Sequence, residues 1–239
     1  MNKFSIYVIP IIVCIITSLA NAAMNSKFLF EQGLDTFKSG NYGSAELLFK
    51  KIKDSGEKEY LDQAWFYLSL SIFNKKKYEA ALYEFKNFLN KCTTDVLASE
   101  SRYWMGECYF NMADYSNAIE EYRRFISSSE DQELVPFAHD RIGGVYLSQK
   151  RYDEAILEWE AAISKNGDSH KKSLRQLWIG EACFSKGSYN EALNRLSPLL
   201  SPNTDLQTAS RARMLCGRIY QEKSDHKKAL MMFEGFFYW

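Results

Sequence analysis

The chain is 239 residues long and carries 30 basic and 30 acidic residues, for a formal net charge of zero. Such a balance leaves no basic face for nucleic acid and no polybasic membrane anchor. No Ser/Gly-rich or low-complexity tract divides it, so everything past the first 22 residues reads as one elongated domain.

The N-terminus differs from the rest. Lys3 precedes an apolar run, Ile6–Leu19, broken only by Pro10, Thr17 and Ser18, and Ala20-Asn21-Ala22 follows. A positive start, an apolar middle and a small-x-small site read as a secretory signal peptide over residues 1–22, cut after Ala22. A retained anchor is the alternative, although the run is short against the ~20 residues of a membrane-spanning helix. Cys14 lies inside the apolar run without the small residues that mark a lipid-modified cysteine. Loss of Lys3 with the leader brings the net charge to about −1 and leaves four of the five cysteines.

From residue 26 the chain repeats a pattern every 36 or 37 residues. Residues 26–60 carry Gly33, Tyr42, Ala45 and Phe49; residues 61–97 carry Ser69, Tyr78, Ala81 and Phe85. The same offsets give Gly106, Tyr115, Ala118 and Tyr122 in 98–134, then Gly143, Tyr152, Ala155 and Trp159 in 135–171. Residues 172–208 hold Gly180, Tyr189, Ala192 and Leu196; residues 209–239 hold Gly217, His226, Ala229 and Phe233. Each unit predicts two helices: Met105, Cys108, Tyr109 and Met112 recur at helical spacing, and Ala118, Ile119, Tyr122 and Phe125 do so after the break at Ala113-Asp114. Comparable short polar breaks at 39–41, 75–77, 149–151, 186–188 and 223–225 allow only a tight antiparallel pair. The small column lets the two backbones approach, and the bulky fourth column is expected to fill the space between one pair and the next. A fixed period of this length marks a solenoid, in which each unit buries its apolar face against its neighbours.

Gly106-Glu107-Cys108-Tyr109 with Tyr115, Ala118 and Tyr122, and Gly143, Tyr146, Tyr152, Ala155 and Ala162, resemble the tetratricopeptide repeat. Departures are Ser69 for glycine, Cys183 for tyrosine, Leu196 for an aromatic and His226 for tyrosine, over a period longer than the familiar 34. The resemblance implies an all-α, right-handed superhelical solenoid of about six helix pairs, with the first helices lining a concave side. Ala98, Arg102 and Tyr103-Trp104-Met105-Gly106-Glu107-Cys108-Tyr109, followed by Asp114-Tyr115 and Ala118-Ile119, are similar to the Tol-Pal-associated coordinator of envelope constriction. The lipoprotein of the β-barrel assembly machine carries similar repeats behind a lipid-bearing cysteine.

No chemistry stands out. His139, His170 and His226 are dispersed, with no second ligand at helical spacing, so neither a metal nor a cofactor is expected. Gly143-Gly144 has no G-x-x-x-x-G-K continuation, and Glu120-Glu121 and Glu158/Glu160 are expected on exposed helix faces. There is no CxxC, and Cys183 and Cys216, on adjacent first helices, are the pair to test for a disulfide. An enzyme is not expected.

What remains is a groove. Counting along the first helices points Phe30, Leu34, Phe37, Phe66, Leu70, Phe73, Tyr103, Glu107 and Phe110 to one side. In later pairs it points Asp140, Gly144, Leu147, Leu177, Glu181, Phe184, Met214, Arg218 and Gln221 the same way. An apolar strip of this kind suits a partner peptide or amphipathic helix. The expectation is therefore a non-enzymatic protein-interaction scaffold of the bacterial cell envelope, exported and periplasmic or outer-membrane-associated, with no small-molecule substrate. A surface-exposed or secreted adhesin or virulence-associated protein, or a helper subunit of a transport system, fits the same features. The apolar end Met231-Met232 with Phe236-Phe237-Tyr238-Trp239 suggests a homodimer through the C-terminal helix.

Overall fold

The computed structural model describes residues 25–92, 94–129, 133–165 and 169–234. The leader and Gly235–Trp239 lie outside these residues. Twelve α-helices and no strand occur among the described residues. They are α1 (25–38), α2 (Tyr42–Ser55), α3 (Leu61–Asn74), α4 (Tyr78–Leu89), α5 (Asp95–Asn111), α6 (Tyr115–Ser128), α7 (Val135–Ser148), α8 (Tyr152–Lys165), α9 (Ser169–Lys186), α10 (Tyr189–Leu196), α11 (Leu206–Glu222) and α12 (His226–Glu234). A 3₁₀ turn, Ser197–Leu200, follows α10 where Pro198 removes a backbone donor. The helices form two compact units, one ending at Arg124 and one beginning at Phe125, so the division falls within α6.

Every first helix ends the same way, at one residue in the left-handed region. Gly40 and Gly187 take φ of 80° and 84°; Lys76, Ala113, Lys150 and Ser224, at the equivalent places, take 57° to 61°. Each of these residues donates its N–H to the carbonyl three back, and the next N–H reaches the carbonyl five back. Lys150 to Leu147 O and Arg151 to Tyr146 O, both 2.9 Å, are an example. This Schellman closure satisfies the orphan carbonyls and reverses the chain within three residues. Where the following residue is Asn41, Asp114 or Asp225, its side chain also caps the second helix by accepting the N–H of Ser44, Asn117 or Lys228.

The glycine column has a specific cause. A Cβ on Gly33 would lie 2.7 Å from Phe49; on Gly106, 2.6 Å from Tyr122; on Gly143, 2.6 Å from Trp159 Nε1; and on Gly180, 2.6 Å from Leu196. On Gly217 it would collide with Phe233. The bulky residue of each second helix therefore sits directly on the glycine of its own first helix, sixteen residues earlier. This contact within the pair comes in addition to the expected filling of the gap to the next pair. Phe49 stacks on Tyr67 of α3 at 5.5 Å, and Trp159 meets Trp178 of α9 at 5.8 Å. Ser69, the exception, is fully buried and turns its hydroxyl back to Trp65 O at 2.9 Å.

In the first unit the core gathers Phe49, Trp65, Phe66, Phe85 and Phe88 with Met105 and Cys108. In the second it gathers Ile142, Trp159, Leu177, Ile179, Leu196 and Ile219. Polar links join successive pairs at their edges. Glu84 accepts from both Lys53 Nζ (2.6 Å) and Trp65 Nε1 (2.7 Å), and Arg195 reaches Glu160. Cys92, Cys108, Cys183 and Cys216 are all free thiols, so the pairing of Cys183 with Cys216 is absent. Burial raises the thiol pKa of Cys108 to about 12 and those of Cys183 and Cys216 to about 11. Of the carboxylates expected on exposed faces, Glu120 is exposed, whereas Glu121 and Glu158 are more enclosed. Glu121 is 6% exposed between Arg102 and Arg124, and Glu158 meets His139 Nδ1 at 2.7 Å.

Candidate functional site: the first-helix face and the α9–α11 cleft

The first-helix residues singled out from the sequence fall into two kinds. In the first unit Phe66, Leu70, Tyr103 and Glu107 are buried. Glu107 accepts the Tyr122 hydroxyl at 2.6 Å. Phe30, Leu34, Phe37, Phe73 and Phe110 keep part of their surface in solvent. The rings of this exposed row are not loose. Phe37 lies 5.2 Å from Tyr42, Phe73 5.4 Å from Tyr78 and Phe110 5.8 Å from Tyr115, each against the tyrosine five residues later. The tyrosine column thus clamps the last turn of the first helix onto the start of the second. Phe37 and Phe73 also reach Tyr67 and Trp104 of the next pair, at 5.5 and 5.1 Å. Phe37 and Phe73 thus spend part of their surface on the fold and stay partly exposed.

In the second unit the column of Phe30, Phe66 and Tyr103 changes character. There α7 has Asp140, which accepts two hydrogen bonds from Arg175 of α9, both 2.8 Å. Arg175 is 1% exposed, and its remaining terminal nitrogen, Nη1, has no hydrogen-bond partner. Burial raises the Asp140 carboxyl above its ordinary pKa, with Arg175 pulling it back down. Gly144, one turn on, is exposed, with nothing within 4 Å of where a Cβ would lie. Leu147 is partly exposed, Leu177 is fully buried, and Glu181 and Phe184 are half-buried. Phe184 lies 5.8 Å from Tyr189, as in the first unit.

Between α9 and α11 the same face opens into a cleft of about 290 Å³ lined by Glu181, Phe184, Ser185, Arg211, Met214, Leu215 and Arg218. Glu181 holds Arg211 at 2.7 Å. The Arg218 guanidinium lies over the Phe184 ring at 4.8 Å, a cation–π contact. Met214 is 50% exposed. Sequence reasoning placed Glu181, Phe184, Met214 and Arg218 on one side but read the strip as apolar. Arg218 was visible as a departure from Leu34 and Leu70 in its column; its convergence with Arg211 and Glu181 needed the packing of α9 on α11. Among the described residues no group of three or more His, Cys, Asp or Glu is placed to hold a metal ion, and no helix is long and apolar enough to cross a membrane.

Residues 100–129, spanning most of α5 and all of α6, match the family model described as tetratricopeptide repeat. The fold is of the tetratricopeptide-repeat type. The C-terminal part of a TPR repeat-containing protein from Cytophaga hutchinsonii superposes with a TM-score of 0.72 at 17% identity, over 87% of this chain and 77% of that one. PilF of Pseudomonas aeruginosa gives 0.65 at 14% identity, covering 88% and 89% of the two chains. YrrB, a TPR protein with an unusual peptide-binding site, gives 0.59 at 16% identity, covering 78% and 89%. No curated protein matches the sequence closely enough to count as a relative. At these identities the likeness concerns the fold alone.

Proposed function

We propose that the protein is a non-enzymatic interaction scaffold that holds a segment of a partner protein against its first-helix face. The observation that carries this reading is the set of half-exposed first-helix positions, Phe37 and Phe73 in the first unit and Leu147 and Phe184 in the second, where Phe184 lines the open α9–α11 cleft. A fold that needed these side chains only for packing would enclose them; here each stays partly exposed at the same place in its pair. Rows of anchors at fixed spacing suit an extended or helical partner segment. YrrB, of similar fold, has a peptide-binding site of its own. The leader-like pattern of residues 1–22 supports export, and we place the scaffold in the cell envelope of a bacterium, periplasmic or associated with the outer membrane.

Two measurements test this. Mass spectrometry of protein recovered from an envelope fraction is expected to find a mature N-terminus at Ala23; a chain starting at Met1 in the cytosol would overturn the placement. Capture from envelope extract with Met214→Glu is expected to lose a partner that Leu157→Glu retains. Met214 lies in the cleft, whereas Leu157 is a more exposed apolar residue of a second helix (64% against 50%). Equal capture by both would show that the first-helix face is not the docking surface.

A further inference from the structure

The charges in the α9–α11 cleft are unbalanced. Arg211 and Arg218 face a single carboxylate, Glu181, and Glu181 is committed to Arg211 at 2.7 Å. Among the described residues Arg218 has no carboxylate partner. Its guanidinium lies over the Phe184 ring at 4.8 Å, and the residue is solvent-exposed. The two arginines are seven residues apart on α11, about 10 Å along the helix axis. They bracket Met214 and Leu215, so the excess charge sits at one end of an apolar floor. A guanidinium held against a ring is preorganised, and less side-chain freedom is lost when it forms a charged hydrogen bond.

We infer that the cleft reads a partner segment containing an acidic side chain next to an apolar one, the carboxylate pairing with Arg218 and the apolar group lying over Met214 and against Phe184. This rests on the scaffold reading and adds the chemistry of the bound segment and its direction. At the Arg211 end the charge is already neutralised by Glu181, so a second acidic residue gains little there. A lone C-terminal carboxylate would meet only one free guanidinium and leave the apolar floor uncovered on one side.

The test uses fluorescently labelled peptides, N-acetylated and C-terminally amidated, of sequence Gly-Ser-Glu-Leu-Phe-Gly-Ser, with a partner series in which Glu is Gln or Lys. Binding of the Glu peptide to the protein is expected to exceed that of the Gln peptide by about tenfold, and to weaken as salt is raised. Arg218→Gln should erase the difference between the two peptides. Arg218→Glu should invert it in favour of the Lys peptide, a rescue that misfolding would not produce. Equal binding of Glu and Gln peptides to the wild type, no measurable binding of either, or a peptide bearing only a C-terminal carboxylate binding as tightly, would each overturn the inference. The scaffold reading is tested separately: if partner capture still depends on Met214 but not on Arg218, the face binds protein and only the acidic preference is wrong.

Discussion

Gly143 and Gly144 are neighbours in one helix, and the structure gives them opposite expectations. Alanine in place of either glycine gains about 1 kcal/mol of helix propensity. At Gly144 nothing lies within 4 Å of the added methyl, so the whole gain is kept and Gly144→Ala should stabilise by about 1 kcal/mol. At Gly143 the methyl would stand 2.6 Å from Trp159 Nε1 and 2.8 Å from Cε2, well inside the 3.4 Å where ordinary contact begins. Trp159 is 2% exposed and backed by Trp178, so it has no room to retreat. Overpacking of this kind costs ~1–3 kcal/mol, which cancels or exceeds the propensity gain. Since propensity is common to both, the difference between the two variants isolates the packing cost: Gly143→Ala should lie ~1–3 kcal/mol below Gly144→Ala. Urea unfolding followed by circular dichroism measures both. Equal stabilisation by the two substitutions would refute the account of the glycine column, since it would mean that the second-helix ring does not rest on the glycine.

Asp140 and Arg175 replace a large apolar and a small residue, as in Leu177 with Ala212. Arg175→Ala should therefore cost ~3–5 kcal/mol by leaving Asp140 buried without its partner, while Asp140→Leu with Arg175→Ala should recover wild-type stability or better; a double variant no more stable than the single in urea would count against this. Asp140 has a raised pKa in the fold, so its contribution favours the fold most below its unfolded pKa and declines as pH rises through the folded value. The stability of the wild type relative to Asp140→Asn should accordingly fall between pH 3 and neutrality, and a rise would reverse the sign. Lys76→Gly and Lys150→Gly relieve a left-handed residue at φ of 60° and 59° and should each raise stability by about 1 kcal/mol in thermal melts; a loss would mean that the lysine side chains support the turn. In protein lacking residues 1–22, only Cys92 of the four thiols should react with a disulfide reagent at pH 8 before unfolding. The raised pKa values of Cys108, Cys183 and Cys216 favour the fold fully below pH 9, and that support is lost as pH rises through about 11 to 12. Rapid labelling of all four in the native protein would contradict their burial.

The helix pairs were legible because one periodic constraint writes itself into several columns at once. A small residue, glycine in five of six copies, lies under the bulky side chain sixteen residues later, and tyrosines pack against aromatics five residues earlier. The left-handed turn was less legible, since four of its six positions are lysine, alanine or serine; the backbone bonds that close the turn, not the residue type, fix it. The candidate face was legible only in part. A first-helix count cannot separate Phe66 and Leu70, which are buried, from Phe73 and Phe110, which keep solvent contact, because that depends on how closely the next pair approaches. Nor does it show that Arg175 reaches back 35 residues to Asp140, or that Arg211 and Arg218 share a cleft with Glu181. Arg175, in a column that from the second copy on is otherwise alanine or serine (Ala64, Ser101, Ala138 and Ala212), was an outlier, and such an outlier marks where a repeat array departs from pure packing.

Site-specific photo-cross-linking in living cells addresses the first-helix face most directly. A photoreactive side chain at Phe110, Leu147 or Met214, all on first helices with exposed surface, is expected to trap one and the same partner protein. The same group at Tyr83 or Leu157, exposed on second helices, is expected to trap none. Equal trapping from both faces, or trapping only from the second helices, would contradict the account.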